Sequence, residues 1–288
     1  MENISFTKMS GAGNDFIVID KSLNPGISFA NGVINRLCDR RNGIGADGVI
    51  LISSSNGYDF AMDYYNADGS TGTLCGNGAR CSILFAGNSG KLKGKNVRFV
   101  SNDIEYSGEF LDNGLIKFNL NQPKDIRKDI IVKSMGSNIP ASYVHTGSPH
   151  VVILFDDILE KLNDKMSEKL FDKFPVVQIG REIRNLPEFA PGGTNVNFIN
   201  IVDNKDIYIR TYERGVEDET LACGTGSVAA AVISNLKFGI KSPVALITRG
   251  KEKLIVDFKI DKENFIDLSL TGPAKEIYKG EISLNSFS

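Results

Sequence analysis

The chain has 288 residues, enough for about two domains, and an ordinary globular make-up of 41% hydrophobic and 24% charged residues. Its 33 basic and 35 acidic side chains leave a net charge of −2, so no nucleic acid, membrane surface or other polyanion is expected as a partner. The opening MENISFTKMSGAGNDF has neither a basic n-region nor an apolar h-region, and no apolar run approaches membrane-spanning length, which points to a cytoplasmic protein.

In chain order, alternating or short apolar runs predict strands at Phe16 to Asp20, Val49 to Ile52 and Val97 to Val100, then Leu115 to Leu120 and Val151 to Phe155. Further strands are expected at Tyr208 to Tyr212, Val244 to Ile247, Leu254 to Phe258 and Tyr278 to Leu284. A charged helix is expected over Val33 to Arg41. The runs Cys81 to Ala86 and Val228 to Ile233 are apolar nearly all round, the pattern of helices buried on every side. Gly43-Ile-Gly45-Ala-Asp-Gly48 matches the dinucleotide pattern GxGxxG, but a helix precedes it and a strand follows, the reverse of what that fingerprint requires.

The chain also repeats itself. Leu74-Cys75-Gly76-Asn77-Gly78-Ala79 returns 148 residues later as Ala222-Cys223-Gly224-Thr225-Gly226-Ser227, each opening one of the apolar helices. Upstream, residues 59–66 align with 206–213, Gly45-Ala-Asp47 with Gly193-Thr-Asn195, and Gly11-Ala-Gly-Asn14 with Gly147-Ser-Pro-His150, in the same order. The expected architecture is α/β (α+β): two pseudo-symmetric lobes from an internal duplication, each a mixed sheet or barrel around a central buried helix, with the active site in the cleft between them. The best boundary is Lys117 to Asp125, giving lobes 1–120 and 121–275, with the final strand 276–288 returning to the first.

Four cysteines without secretory features are expected to be reduced. The only histidines, His145 and His150, and the lack of CxxC or HxxxH spacing argue against a metal. No phosphate loop of the form GxxxxGK[ST] is present, and no lysine marks a pyridoxal phosphate site, so the sequence points to cofactor-free thiol chemistry. A thiol at a helix N-terminus meets backbone N–H groups and the positive end of the helix dipole, which favour the thiolate and create an anion site beside it. Cys75 and Cys223, with the amides of Gly76, Asn77, Gly224 and Thr225, could remove a Cα proton from one face and return one to the other. Cys38 and Cys81, which open no glycine-rich turn, are expected to be buried packing residues.

Seven segments together carry a resemblance: Gly11 to Phe16, Arg40 to Gly48, Asn66 to Ser70, Cys75 to Cys81, Gly147 to His150, Tyr212 to Gly215 and Ala222 to Gly226. Over essentially its whole length the chain resembles diaminopimelate epimerases. The resemblance implies cofactor-independent conversion of LL-diaminopimelate to the meso isomer, a step toward lysine and peptidoglycan precursors, with a small amino acid as substrate and a homodimeric enzyme. It implies Cys75 as base toward the LL isomer and Cys223 as the acid, with Asn14, Asn66, Asn195 and Arg214 lining the substrate site and His150 and Glu213 near the thiols. Arg214 is suited to a bidentate grip on the distal carboxylate.

Two departures stand out. Ser148 replaces the asparagine of the family's Gly-Asn-Pro-His, and Glu213-Arg-Gly-Val-Glu217-Asp218 replaces Glu-Arg-Gly-x-Gly with an apparent extra residue. Both bear on the substrate site, so the alternatives kept open are a broader or proline-racemase-like amino-acid racemase and a non-catalytic amino-acid-binding descendant.

Overall fold

Strand pairing follows one pattern twice in the computed structural model, which describes residues 3–27, 29, 32–72, 75–92, 94–161, 168–202 and 206–283. The chain divides into an N-terminal unit, residues 1–119 with 271–288, and a C-terminal unit, residues 120–270. The expected end of the last strand at Leu284, and Leu74 of the first cysteine segment, lie outside the described residues.

In the N-terminal unit, β1 (Asn3–Gly11) and β2 (Asn14–Asp20) form a tight hairpin pairing Gly11 with Asn14. Its two turn residues, Ala12 and Gly13, have φ of 57° and 108°, the left-handed backbone that two-residue hairpins require. After α1 (Val33–Cys38), β3 (Gly48–Ser53) lies parallel to β2, and β4 (Phe60–Asn66) antiparallel to β3. Helix α2 (Gly76–Asn88) then carries the chain to β5 (Asn96–Ser101), parallel to β4, and β6 (Ile104–Phe110) and β7 (Ile116–Asn119) continue antiparallel.

The C-terminal unit repeats these pairings. The hairpin β8 (Lys124–Ser134) and β9 (Ser137–His145) leads to β10 (Pro149–Leu154), and β11 (Asn195–Val202) runs parallel to β10. Between them lie α3 (Phe155–Lys161) and α4 (Val176–Arg184). Strand β12 (Asp206–Glu213) is antiparallel to β11, and the short β13 (Asp218–Thr220) folds back on it. Helix α5 (Gly224–Phe238) leads to β14 (Val244–Ile247), parallel to β12, then β15 (Lys253–Asp261) and β16 (Asn264–Gly272). The last strand, β17 (Lys275–Ser283), pairs antiparallel with β1, as β8 pairs with β9.

In each unit one helix packs against most of the strands. In the N-terminal unit, α2 packs against β1–β4, β6, β7 and β17; in the C-terminal unit, α5 packs against β8–β12, β14 and β15. Ala79, Cys81, Ile83 and Ala86 of α2, and Val228 to Val232 of α5, are inaccessible to solvent, as their all-round apolar character requires. Small residues allow the close approach: a Cβ on Gly11 would lie 2.7 Å from the Asn77 carbonyl oxygen. On the outer faces, α1 joins Ile4, Phe6, Ile17 and Ile19 in the N-terminal unit, while Phe155, Phe171, Phe174 and Phe198 form an edge-to-face cluster in the C-terminal unit.

The helix expected over Val33 to Arg41 stops at Cys38. Asp39 takes an extended backbone, its carboxylate accepts the amides of Arg41 and Asn42, and its carbonyl accepts Gly43. A side chain at Gly43 would strike the carbonyls that end α1, the nearest at 2.1 Å. The GxGxxG run is therefore the closing loop of α1. Among the described residues, no helix is long and apolar enough to cross a membrane.

Candidate active site

Both cysteines occupy the same local position. Cys75 is the N-cap of α2 (φ −92°, ψ 120°) and Cys223 the N-cap of α5 (φ −119°, ψ 114°). Extended backbone at this point turns the chain into the helix while the N-cap carbonyl starts its hydrogen bonding, to Ala79 at 2.8 Å and to Ser227 at 2.9 Å. The first-turn N–H groups that follow lie outside the helix's own bonding and make a site for negative charge. Cys75 is half-buried and Cys223 buried. Cys38 and Cys81 are buried as expected, and burial pushes each thiol up to about 12.

Behind Cys75 runs a directed polar chain. Arg80 donates from Nη2 to Asn77 Oδ1 at 2.8 Å, Asn77 Nδ2 to Asn14 Oδ1 at 2.5 Å, and Asn14 Nδ2 to Asp47 Oδ2 at 2.9 Å. A guanidinium can only donate and a carboxylate only accept, so the two ends settle the orientation of both amides between them. Arg80 has no exposed surface, and burial lowers its pKa to about 10, opposed by the thiols of Cys81 and Cys75. Asp47 belongs to an ionic cluster: Arg40 bridges Asp15 (2.7 Å) and Asp47 (2.8 Å), and Lys8 reaches Asp15 (2.8 Å) and the Gly45 carbonyl. Burial acts to raise the Asp15 carboxyl, but the hydrogen bonds and charges of Arg40 and Lys8 outweigh it and hold the group below its ordinary value. Asn66, at the end of β4, donates to Ser70 Oγ at 2.9 Å.

The corresponding region behind Cys223 is built from hydroxyls and an imidazole. Thr225 Oγ1 lies 3.6 Å from Cys223 Sγ, 2.9 Å from His150 Nε2 and 3.1 Å from Ser148 Oγ, and Ser148 Oγ is itself 2.9 Å from His150 Nε2. His150, inward on β10, is buried; that burial, with the charges of His145 and Arg214, lowers its pKa to about 3 despite the bond to Asn197. Asn195, at the start of β11, donates to the Pro149 carbonyl at 2.9 Å and to Ser148 Oγ at 3.3 Å, and its Oδ1 accepts the Arg214 amide at 2.9 Å. Glu213 Oε2 accepts the Thr220 hydroxyl at 2.8 Å.

The expected site residues thus fall into two groups by unit: Asn14, Asn66, Cys75, Gly76 and Asn77 in one, and Ser148, His150, Asn195, Glu213, Arg214, Cys223, Gly224 and Thr225 in the other. Side-chain bonds join Asn14 to Asn77, and Ser148, His150, Asn195 and Thr225 to one another. The departure at Glu217 has a local structural role. Its carboxylate pairs with Arg184 at 2.7 Å and accepts Tyr212 Oη and the Gly215 amide, both at 3.0 Å, pinning the loop after Arg214. Arg40, Asp47, Arg80, Asn197 and Thr211 join these networks without a motif of their own in the sequence. The signal for Arg40, Asp47 and Arg80 is their place inside the segments Arg40 to Gly48 and Cys75 to Cys81. Among the described residues, no cluster of three or more His, Cys, Asp or Glu side chains could hold a metal ion.

Comparison with known proteins identifies the family and the fold. The family model described as diaminopimelate epimerase matches residues 6–119 and 142–277. The diaminopimelate epimerase of Chlorobaculum tepidum is 40% identical over 278 residues, covering 96% of this chain and all of that one. That of Aquifex aeolicus is 39% identical, covering 97% of this chain and 98% of its own. Among solved structures, a probable proline racemase from Agrobacterium radiobacter K84 superposes with a TM-score of 0.71 at 14% identity, over 99% of this chain and 94% of that one. A PhzF-family phenazine biosynthesis protein from Bacillus anthracis superposes with a TM-score of 0.68 at 15% identity, over 98% of this chain and all of that one. The structural likenesses show a shared mixed α/β fold, whereas the sequence matches run through both cysteine segments and nearly the full length: the chain belongs to the diaminopimelate epimerase family.

Proposed function

We propose that the protein is an isomerase that interconverts LL- and meso-diaminopimelate without a cofactor, using Cys75 and Cys223 as the two proton carriers. The observation that carries the mechanism is the equivalence of the two cysteines, each the N-cap of a buried helix in a duplicated unit. The amides of Gly76, Asn77, Gly224 and Thr225 hold the α-carboxylate and stabilise the charge that develops as the Cα proton leaves. Toward the LL isomer Cys75 takes that proton as thiolate and Cys223 delivers another from its thiol; in reverse the roles exchange. The result is inversion at one carbon.

Asn14, Asn66, Ser148 and Asn195 line the substrate, and the Arg214 guanidinium holds the distal carboxylate through two parallel hydrogen bonds. His150 and Glu213 support the thiols, His150 through Thr225. The enzyme works as a cytoplasmic homodimer in this reading, its place in metabolism being the supply of lysine and peptidoglycan precursors.

The test is to incubate purified protein with LL-diaminopimelate in deuterated water with no cofactor added, beside proline and glutamate. Formation of the meso isomer with one solvent deuteron at the inverted carbon is the expected result. Turnover of proline or glutamate at comparable rates would replace the proposal with a broader racemase. Binding of diaminopimelate with no α-proton exchange would make the protein a non-catalytic binder.

A further inference from the structure

The hydroxyls around Cys223 look interchangeable as donors and acceptors, but their neighbours leave them little choice. Asn197 Nδ2 lies 2.9 Å from the Val151 carbonyl oxygen, which can only accept, and Asn197 Oδ1 lies 3.0 Å from the Thr211 hydroxyl. These two contacts settle the amide, so the same Nδ2, 3.1 Å from His150 Nδ1, donates to it. With Nδ1 accepting, a neutral imidazole carries its proton on Nε2, the atom 2.9 Å from both Thr225 Oγ1 and Ser148 Oγ.

Asn195 is settled in the same way. Its Oδ1 takes the Arg214 amide, so its Nδ2 donates to Ser148 Oγ. Ser148 cannot give its own proton to a protonated Nε2, and Thr225 Oγ1 at 3.1 Å is the acceptor that remains in this ring. Thr225 therefore accepts the Ser148 proton and faces the single Nε2 proton, which lies equally close to Ser148 Oγ, so it can donate to neither neighbour. Its single proton is left for Cys223 Sγ at 3.6 Å.

We infer that Thr225 is a positioning residue whose hydroxyl is held as a donor to the Cys223 sulfur by Ser148, His150 and Asn197. The assignment deepens the proposed role of Cys223 as a proton carrier and rests on it. A donor aimed at sulfur stabilises the thiolate more than the thiol, since a hydrogen bond to a charged acceptor is roughly twice as strong as one to a neutral acceptor. Thr225 would thus ready Cys223 to act as base, while His150, uncharged, holds Thr225 and takes no proton itself. Ser148 gains a role here: its hydroxyl donates to Thr225.

The experiment compares the intact protein with Thr225→Val, Thr225→Ser and Ser148→Ala, without substrate. Iodoacetamide labels both reactive cysteines, and peptide mapping reads the rate at each, with Cys75 as the internal control for folding. At pH 7.5, Thr225→Val is expected to slow labelling of Cys223 by about tenfold relative to Cys75, the effect of one lost hydrogen bond to a charged group. The pH midpoint of Cys223 labelling should move upward. Thr225→Ser should recover at least a third of the wild-type ratio, and Ser148→Ala should fall between the two. A Thr225→Val protein with a wild-type labelling ratio and midpoint, or a Thr225→Ser protein as impaired as Thr225→Val, would overturn the inference. The labelling needs no turnover, so absence of α-proton exchange on diaminopimelate would count against the proposed function alone.

Discussion

The two cysteine sites share a backbone and differ in what stands behind it. Each places a sulfur at the N-cap of a buried helix and a polar side chain two residues on, Asn77 in one unit and Thr225 in the other. Asn77 sits in a chain that begins at the buried Arg80 cation and ends at the Asp47 carboxylate, so every donor and acceptor in it is determined by charge. Thr225 sits among neutral groups, directed by the amide of Asn197 and a carbonyl. Duplication preserved the geometry that presents a thiol to helix amides, while the two halves settled its surroundings by different electrostatics, one ionic and one neutral.

The largest test of that comparison concerns whether the two sulfurs are partners in one reaction. Cys75→Ala and Cys223→Ala should each lower epimerisation by about a thousandfold or more, since a methyl group can neither take nor give a proton. Exchange measured separately from each isomer sharpens the point: Cys75→Ala should stop exchange from the LL substrate, and Cys223→Ala exchange from the inverted centre. Full activity in either variant would end the two-thiol mechanism.

Next in size is Arg80, whose position in the C-terminal helix is taken by the apolar Val228. Arg80→Met should destabilise the protein by about 2–4 kcal/mol, because Asn77 Oδ1 and the Gly76 carbonyl, 2.8 and 3.3 Å from the guanidinium, lose their buried donor. A thermal melt reads this, and an unchanged midpoint would remove the ionic end from the comparison.

The equivalent glycines Gly78 and Gly226 should also part company. A Cβ on Gly226 would lie 2.4 Å from Asn197 Oδ1, whereas the nearest atom to one on Gly78 is Ile50 Cδ1 at 3.3 Å, the end of a flexible side chain, with Cys75 Cβ and Met62 Cε at 3.6 Å in ordinary contact. Gly226→Ala is expected to cost about 2 kcal/mol, and Gly78→Ala to stay within about 1 kcal/mol of wild type. Equal costs in denaturant titrations would show that the two helix starts are packed alike.

A pH dependence tests the neutral side separately. His150 is lowered from 6.5 to about 3 on folding, so between those values the unfolded chain binds the extra proton and stability falls as the solution is acidified. Once the unfolded imidazole is fully protonated, that slope is about 1.4 kcal/mol per pH unit. Asp15 behaves differently: its carboxyl is lowered below 3.8, so its contribution is present above that value and lost only as pH falls further. Stability should therefore begin to decline below pH 6.5 in wild type, and His150→Asn should remove the decline above pH 4.5. An unchanged slope in His150→Asn would show that the imidazole is not held neutral.

Much of the scaffold is legible in the residues alone. The runs Phe16 to Asp20 and Val151 to Phe155 read as strands because their apolar content exceeds what a surface could carry; the first is buried in β2, and the second is buried in β10 through Ile153 but gives way to α3 at Phe155. The β8–β9 hairpin is not legible in the sequence, because Lys124 to Ser134 is rich in charge and mostly solvent-facing, so no apolar face announces it. Charge periodicity continues past Cys38 and extends the expected helix of Val33 to Arg41, whereas the stop is set by the carboxylate of Asp39.

For the site, the duplicated Cys-Gly-x-Gly segment and the apolar run after it determine locally that a thiol stands at a buried helix start. That much follows from short-range spacing, which fixes backbone geometry within a turn or two. What Asn14, His150 and Thr225 bond to is decided by strand pairing between distant segments: β10 sets His150 beside Asn195 in register, and β11 carries Asn197 inward next to it. Spacing along the chain reports which face a residue occupies. Hydrogen bonding also needs direction and distance within tenths of an ångström, and only the folded register of the strands around each helix supplies those.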